Sequence, residues 1–410
     1  MDCLHHLAKG PKALLAVACV LIAGCGGSDD SPPDAGTVNP PAISTGESGN
    51  FQADAAHSGV STAPTPNFPL QQAWQRTFSG AVSYPVIAGG KVFVVVTNIF
   101  VGGQTQLVAI DQATGLDAWP AISIGATYYA SHVHHEGRIV VIGSDGILRS
   151  FDAASGAAGW STALSFFTGT PPSAYKGRIY VATGNTTYAV AAQSGAIAWA
   201  APTSQSSPTL GGGNVLLNVT CSSFSIGEST GVERWRMTTA PCPGSPPGTI
   251  VWSAGKTYER GFDFTTSKPT LIQRDADTGA ALGSANVFGF YPLSTPAVSA
   301  DAAYVLNGGT LQRFDPSLQS VAWSFAGDGS LASAPLVLGE VVMIGGTSGK
   351  LYALDVKTGS ERWSALLPAA IDHSNDVAGL GSTVTGMAAA NGILVVPAGR
   401  TLNAWRLTPP

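Results

Sequence analysis

The sequence predicts an all-β fold: eight four-stranded blades set around an axis as a β-propeller, with the ring closed by pairing strands from the two chain ends. Three observations carry that expectation. An eleven-residue motif recurs about every 40 residues, a period that marks stacked supersecondary units, and its fullest copies run Ala109–Trp119 and Ala353–Trp363. Strongly β-forming runs such as Val92-Phe93-Val94-Val95-Val96 and Val341-Val342-Met343-Ile344 lie between small-residue turns, with no sustained 3.6-residue periodicity after residue 30. The chain is turn-dense yet apolar, with 50 Gly in 410 residues and 44% hydrophobic residues, enough to bury a large core and exclude disorder.

The motif copies align without gaps. Asp111, Gly115 and Trp119 form the first, and Asp152, Gly156 and Trp160 the second. Gly195 and Trp199 form the third, with Ala191 in the Asp place; Thr230, Gly231 and Trp235 form the fourth. Asp275 and Gly279 form the fifth, with Gly283 in the Trp place; Asp315 and Trp323 form the sixth, with Gln319 in the Gly place. Asp355, Gly359 and Trp363 complete the series. Each copy has a local physical reason. A short Asp side chain accepts backbone N–H groups within a turn. Gly takes the left-handed conformation that closes the hairpin. Trp offers a flat apolar surface to a neighbouring blade.

A second pattern precedes the motif: Ser83-Tyr84-Pro85-Val86, Ser207-Pro208, Ser294-Thr295-Pro296-Ala297 and Ser333-Ala334-Pro335-Leu336. It supplies the remaining strands, making four per unit. The chain ends on Leu402-Asn403-Ala404-Trp405, which reads as a strand before the turn, and opens near Gln72-Ala73-Trp74, which reads as a strand after it. The ends are thus complementary halves of one blade, and eight units of roughly 41 residues span Trp74 to Trp405.

Residues 1–24 read as a lipoprotein signal peptide. Lys9 and Lys12 precede an apolar run from Ala13 to Ala23, too short to span a bilayer. Leu21-Ile22-Ala23-Gly24-Cys25 resembles a bacterial lipobox, which implies acylation of Cys25 and stable anchoring by several chains. Gly26 follows where an inner-membrane retention signal would carry Asp, so outer-membrane anchoring facing the periplasm is expected. Residues 25–50 read as the lipidated Cys and a flexible tether, and residues 51–410 as the propeller. Cys221 and Cys242 are expected to pair as a disulfide in an oxidising periplasm, pinning the Pro/Gly-rich stretch from Pro241 to Gly248.

The Ala-x-Asp-x-x-Thr-Gly-x-x-x-Trp pattern resembles the tryptophan-docking motif of the pyrroloquinoline-quinone-type β-propeller family. Phe51-Gln52-Ala53-Asp54-Ala55-Ala56-His57-Ser58-Gly59 resembles the segment that precedes the first blade in its members, with Ala53 where Gly is usual. The family includes quinone-dependent dehydrogenases, and also non-enzymatic members such as the lipoprotein of the outer-membrane barrel-assembly machinery. For the dehydrogenases the resemblance implies a quinone with Ca²⁺ over the central channel, usually beside adjacent cysteines. Here no Cys-Cys pair or C-x-x-C-H haem site exists, and no calcium ligand or catalytic base matches by motif.

Other constellations are sparse. His132 and His134 share a strand face at a spacing that could bind a metal, but read first as a polar strand end at the rim. Asp372-His373-Ser374-Asn375-Asp376 reads as a polar loop, and Gly211-Gly212-Gly213, with no Lys-Ser/Thr after it, as a hairpin turn. The net charge of −5 comes with scattered basic residues, which excludes a nucleic-acid stripe. No catalytic or cofactor-binding residue is expected. The reading is a non-catalytic periplasmic scaffold for envelope proteins, held to the membrane by its lipid. The alternatives are a quinone-dependent dehydrogenase and a carbohydrate-binding propeller.

Overall fold

The computed structural model describes residues 46–98, 104–167, 169–202, 206–238, 248–263, 268–287, 294–376 and 383–408. Cys25, Cys242 and the signal peptide lie outside them. The regular elements among these residues are all strands, and they form eight sheets arranged as an eight-bladed propeller. The second blade shows the plan: Ala130–His135 innermost, then Arg138–Gly143, Ile147–Asp152 and Ala158–Ala163 outermost, each antiparallel to the last. The innermost strands of the other seven blades, in chain order, are Val86–Ala88, Ser173–Tyr175, Thr209–Gly211, Val251–Ser253, Ala297–Val298, Leu336–Leu338 and Ala388–Ala390.

Burial follows position in the blade. Second strands are buried on both faces, as Val341–Gly345 is throughout, and so read as unbroken apolar runs. Outermost strands alternate towards solvent, as Ala158–Ala163 does. The eighth blade is closed by Gln71–Thr77, which pairs antiparallel with Thr401–Arg406 from Gln71 opposite Arg406 to Thr77 opposite Thr401. Two strands exceed the four-per-blade plan: Ala81–Val82 pairs with Lys91–Asn98, and Val60–Ser61 lies parallel to Leu336–Leu338.

The motif builds the seams between blades. Asp111 Oδ1 accepts from Thr114 N–H at 2.9 Å and from the Thr114 hydroxyl at 2.7 Å, and Asp275 and Asp355 hold Thr278 and Thr358 in the same way. These bonds favour the ionised carboxyl and hold Asp111, Asp275 and Asp355 below the usual range. Gly115, Gly156, Gly195, Gly231, Gly279 and Gly359 each have φ between +71° and +76°. A Cβ on any of them would fall 2.5 to 2.9 Å from the indole of the preceding blade's Trp: Trp74, Trp119, Trp160, Trp199, Trp235 and Trp323 respectively. That Trp also donates its Nε1–H to a carbonyl of the next blade's turn, as Trp74 does to Gln112 O at 2.9 Å and Trp235 to Ala276 O at 2.9 Å. Trp363 instead meets Trp405 edge to face, and Trp405 sits in the strand before the turn rather than at a docking position.

Candidate functional site

The innermost strands surround an axis, and a segment of the chain's own N-terminal part runs round it. Ser48 exchanges backbone bonds with Ile87 in the first blade at 2.8 and 2.9 Å. His134 N–H then donates to Gly49 O at 2.8 Å, Ala174 N–H to Asn50 Oδ1 at 2.7 Å, and Leu210 N–H to Ala55 O at 2.8 Å. Trp252, Val298 and Val337 donate to Ala56 O, Ser58 O and Gly59 O at 3.0, 2.7 and 2.8 Å. Ser61 Oγ completes the circuit on Ala389 O at 2.6 Å. Residues 48–61 therefore form a hoop that bonds to the same position in the innermost strand of all eight blades.

The hoop turns tightly, and its backbone shows it. Gln52, Ala53 and His57 have φ of +55°, +73° and +52°, a region L-residues enter at a cost. The left-handed φ at Ala53 is a conformation that glycine adopts most readily. Asp54 braces the turn: its carboxylate accepts from Ser58 N–H at 2.9 Å and the Ser58 hydroxyl at 2.6 Å. Burial outweighs these bonds and pushes the Asp54 carboxyl up to about 6.

Several side chains of the hoop are buried against the blades. His57 is fully buried, with Nδ1 2.9 Å from Phe51 O and Nε2 3.0 and 3.1 Å from the hydroxyls of Ser173 and Ser207. Those hydroxyls donate to Pro208 O and Pro171 O, both at 2.6 Å, tying the third and fourth blades together. Desolvation lowers the His57 pKa, against the two carbonyl contacts that raise it. Gln52 Nε2 reaches Thr295 O in the run to the sixth blade at 3.3 Å. From the connection before the eighth blade, Asp376 enters the same region. It accepts from Thr295 Oγ1 at 2.7 Å, Ser374 Oγ at 2.6 Å and Thr249 N–H at 3.3 Å. Asp372–Asp376 is therefore a polar loop whose end is buried: Ser374 is fully enclosed and Asp376 is 2% exposed.

His132 and His134 are not a strand end at the rim. They lie on the innermost strand of the second blade, buried because that strand faces both the axis and the first blade. His132 stacks on Tyr84 at 4.7 Å, with Nε2 3.1 Å from Phe93 O, and burial lowers its pKa to about 4. His134 Nδ1 lies 3.3 Å from Glu47 Oε2. Among the described residues no group of three or more His, Cys, Asp or Glu side chains is placed to hold a metal. Gly211-Gly212-Gly213 closes the hairpin between Thr209–Gly211 and Asn214–Val219, where Trp252 of the next blade packs against Gly211.

One end of the ring carries the connections from each outermost strand to the next innermost strand. Large apolar side chains stand in solvent there: Tyr128 and Phe166, 65% and 67% exposed, on consecutive connections, and Leu366 at the end of the seventh blade's outermost strand.

The model of the family described as outer membrane protein assembly factor BamB matches residues 108–231 and 222–405. The chain belongs to that family. No curated protein matches the chain. Among solved structures, BamB from Moraxella catarrhalis is 17% identical with a TM-score of 0.58, covering 82% of this chain and 97% of its own. A europium-containing methanol dehydrogenase is 13% identical with a TM-score of 0.63, covering 88% and 98%. The quinohemoprotein alcohol dehydrogenase from Comamonas testosteroni is 14% identical with a TM-score of 0.63, covering 90% and 82%. At these identities the structures show a shared fold alone, and one fold hosts many functions.

The sequence reading missed the hoop. Its signal was present in Asp54 and Ser58, an acceptor and donor four residues apart beside a Gly, but the partners lie across the whole chain.

Proposed function

We propose that this member of the BamB family is a lipid-anchored scaffold for envelope proteins, acting through the loop end that exposes Tyr128 and Phe166. The observation that carries the reading is that the buried polar groups beside the hoop are already hydrogen-bonded to protein partners. A quinone with Ca²⁺ would need oxygen ligands free to coordinate, typically six to eight. The polar groups present are already engaged within the protein: Asp376 accepts from two hydroxyls and an N–H, and His57 and Gln52 bond to protein groups. The tryptophans that could stack on sugars are packed between blades, which weighs against carbohydrate binding.

The anchor at Cys25, outer-membrane location and the Cys221–Cys242 disulfide belong to the same proposal. Supporting the last, Cys221 lies in the turn between Asn214–Val219 and Ser222–Gly227, with φ of +61°.

The test is affinity purification of the full chain from native outer membranes. Recovery of barrel-assembly components, lost when Tyr128→Ser and Phe166→Ser are combined without a change in melting temperature, supports the proposal. Tight binding of the quinone with Ca²⁺ and dye-linked oxidation of an alcohol or sugar would overturn it.

A further inference from the structure

One seam of the ring differs in kind from the others. In each blade, two alternate positions of the second strand face the preceding blade. They are Val342 and Ile344 in the seventh blade and Ile179 and Val181 in the third, and both are buried and apolar in every blade but the fifth. In the fifth blade they are Thr257 and Glu259. Arg274 stands opposite Thr257, and Thr270 opposite Gly261, so the third strand adds two more polar residues to the same face.

This polar face is buried. Thr257, Glu259 and Thr270 are 0%, 2% and 3% exposed, yet Thr257 Oγ1, Glu259 Oε2 and Thr270 Oγ1 reach no hydrogen-bond partner. Trp252 Nε1, in the first strand opposite Thr257, reaches none either. Apolar contact across the seam is the smallest of the eight clusters among the described residues: Ala56, Leu216, Trp235, Ile250, Trp252 and Ala276. Ala56 belongs to the hoop, and Trp235 and Ala276 to the docking turn. The seam is thus clamped at the axis and at that turn, and is polar between them.

A buried polar atom without a partner regains its hydrogen bonds when water reaches it. Parting this seam hydrates Thr257, Glu259 and Thr270 and exposes little apolar surface, whereas parting an aliphatic seam exposes packed Val, Ile and Leu side chains. We propose that the ring opens locally between the fourth and fifth blades, pivoting on the hoop and the docking turn, while the aliphatic seams stay shut. The joint lies away from the eighth blade, where the two chain ends meet. It is independent of which protein the loop end contacts.

Native-state thiol labelling of the full chain in detergent tests it. Thr257→Cys reports on this seam, and Val342→Cys on the equivalent position of an aliphatic one; should Val342→Cys lower the melting temperature, Ile179→Cys serves in its place. Iodoacetamide is the probe, and peptide masses distinguish the introduced thiol from Cys25, Cys221 and Cys242. The expected result is Thr257→Cys modified at least about tenfold faster than the reference thiol, at a rate that urea barely raises, as for an opening that exposes little surface. Adding Thr270→Val removes one unpartnered hydroxyl from the seam and should slow that labelling about threefold or more. Equal rates at the two positions, a urea dependence at Thr257→Cys as steep as that of global unfolding, or no effect of Thr270→Val overturns the proposal.

Discussion

Gly283 packs directly against the turn that carries Gln319: a Cβ on Gly283 would fall 2.8 Å from Ser317 O and 3.4 Å from Gln319 Nε2. This is the seam between the fifth and sixth blades, where the docking Trp and its receiving Gly are both replaced. The left-handed residue has moved one position, to Leu318 with φ of +63°. The Leu318 side chain, 3% exposed, enters a cluster with Tyr258, Leu271 and Ala285 of the fifth blade. At six other seams a blade inserts a Trp into the following turn; here the following turn inserts a Leu into the blade.

Leu318→Ala should therefore cost about 2–4 kcal/mol, as for other buried leucines whose site cannot collapse. Denaturant unfolding would show it, and a loss under about 1 kcal/mol would mean the seam is held by other contacts.

Docking can be separated from backbone strain by comparing two glycines. Gly195 and Gly137 have similar φ, +73° and +77°, but only Gly195 faces a side chain, Trp160. Gly137→Ala should lose about 1–2 kcal/mol from the left-handed conformation alone. Gly195→Ala should lose a further 1–3 kcal/mol or so from overpacking. Equal losses in thermal melts would contradict the docking role.

Glu259, 2% exposed, pairs with Arg274 at 2.5 Å on the fifth blade. Glu259→Gln leaves a largely buried guanidinium without a counter-charge, and should destabilise by about 3–5 kcal/mol. A variant that melts with the parent would show that solvent reaches Arg274.

Stability should depend on pH with two opposing signs. Asp54 ionises near 6 in the fold against an ordinary 3.8, so its favourable contribution is present below 3.8 and lost as pH rises towards 6. The turn aspartates Asp111, Asp275 and Asp355 lie below 3.8, so theirs is present above 3.8 and lost as pH falls through their folded values. Asp54→Asn stays neutral. Its melting temperature relative to the parent should therefore rise between about pH 4 and 7. A constant difference would place Asp54 in contact with solvent.

Deleting residues 398–410 removes Thr401–Arg406, which lies between Gln71–Thr77 and Ile393–Ala398 in the eighth blade. The product should have unpaired edges and aggregate on size exclusion. A monomer that melts like the parent would refute closure of the ring by the two ends.

The repeat and its turn chemistry were legible in the sequence because each rests on neighbours within a dozen residues, Asp111 with Thr114 and Gly115 with its own φ, and the chain ends because each carries half of one repeat. Tertiary structure alone decided the rest. His132 looks like a polar strand end until the neighbouring blade buries it against Tyr84 and Phe93. Leu318 looks like a turn residue until the missing Trp opposite gives it a place to go. The hoop bonds Ser61 to Ala389 and Gln52 to Thr295, and such separations leave no periodicity to read. A hydrogen bond closed by the ring exists only once eight blades have set the distance between its partners.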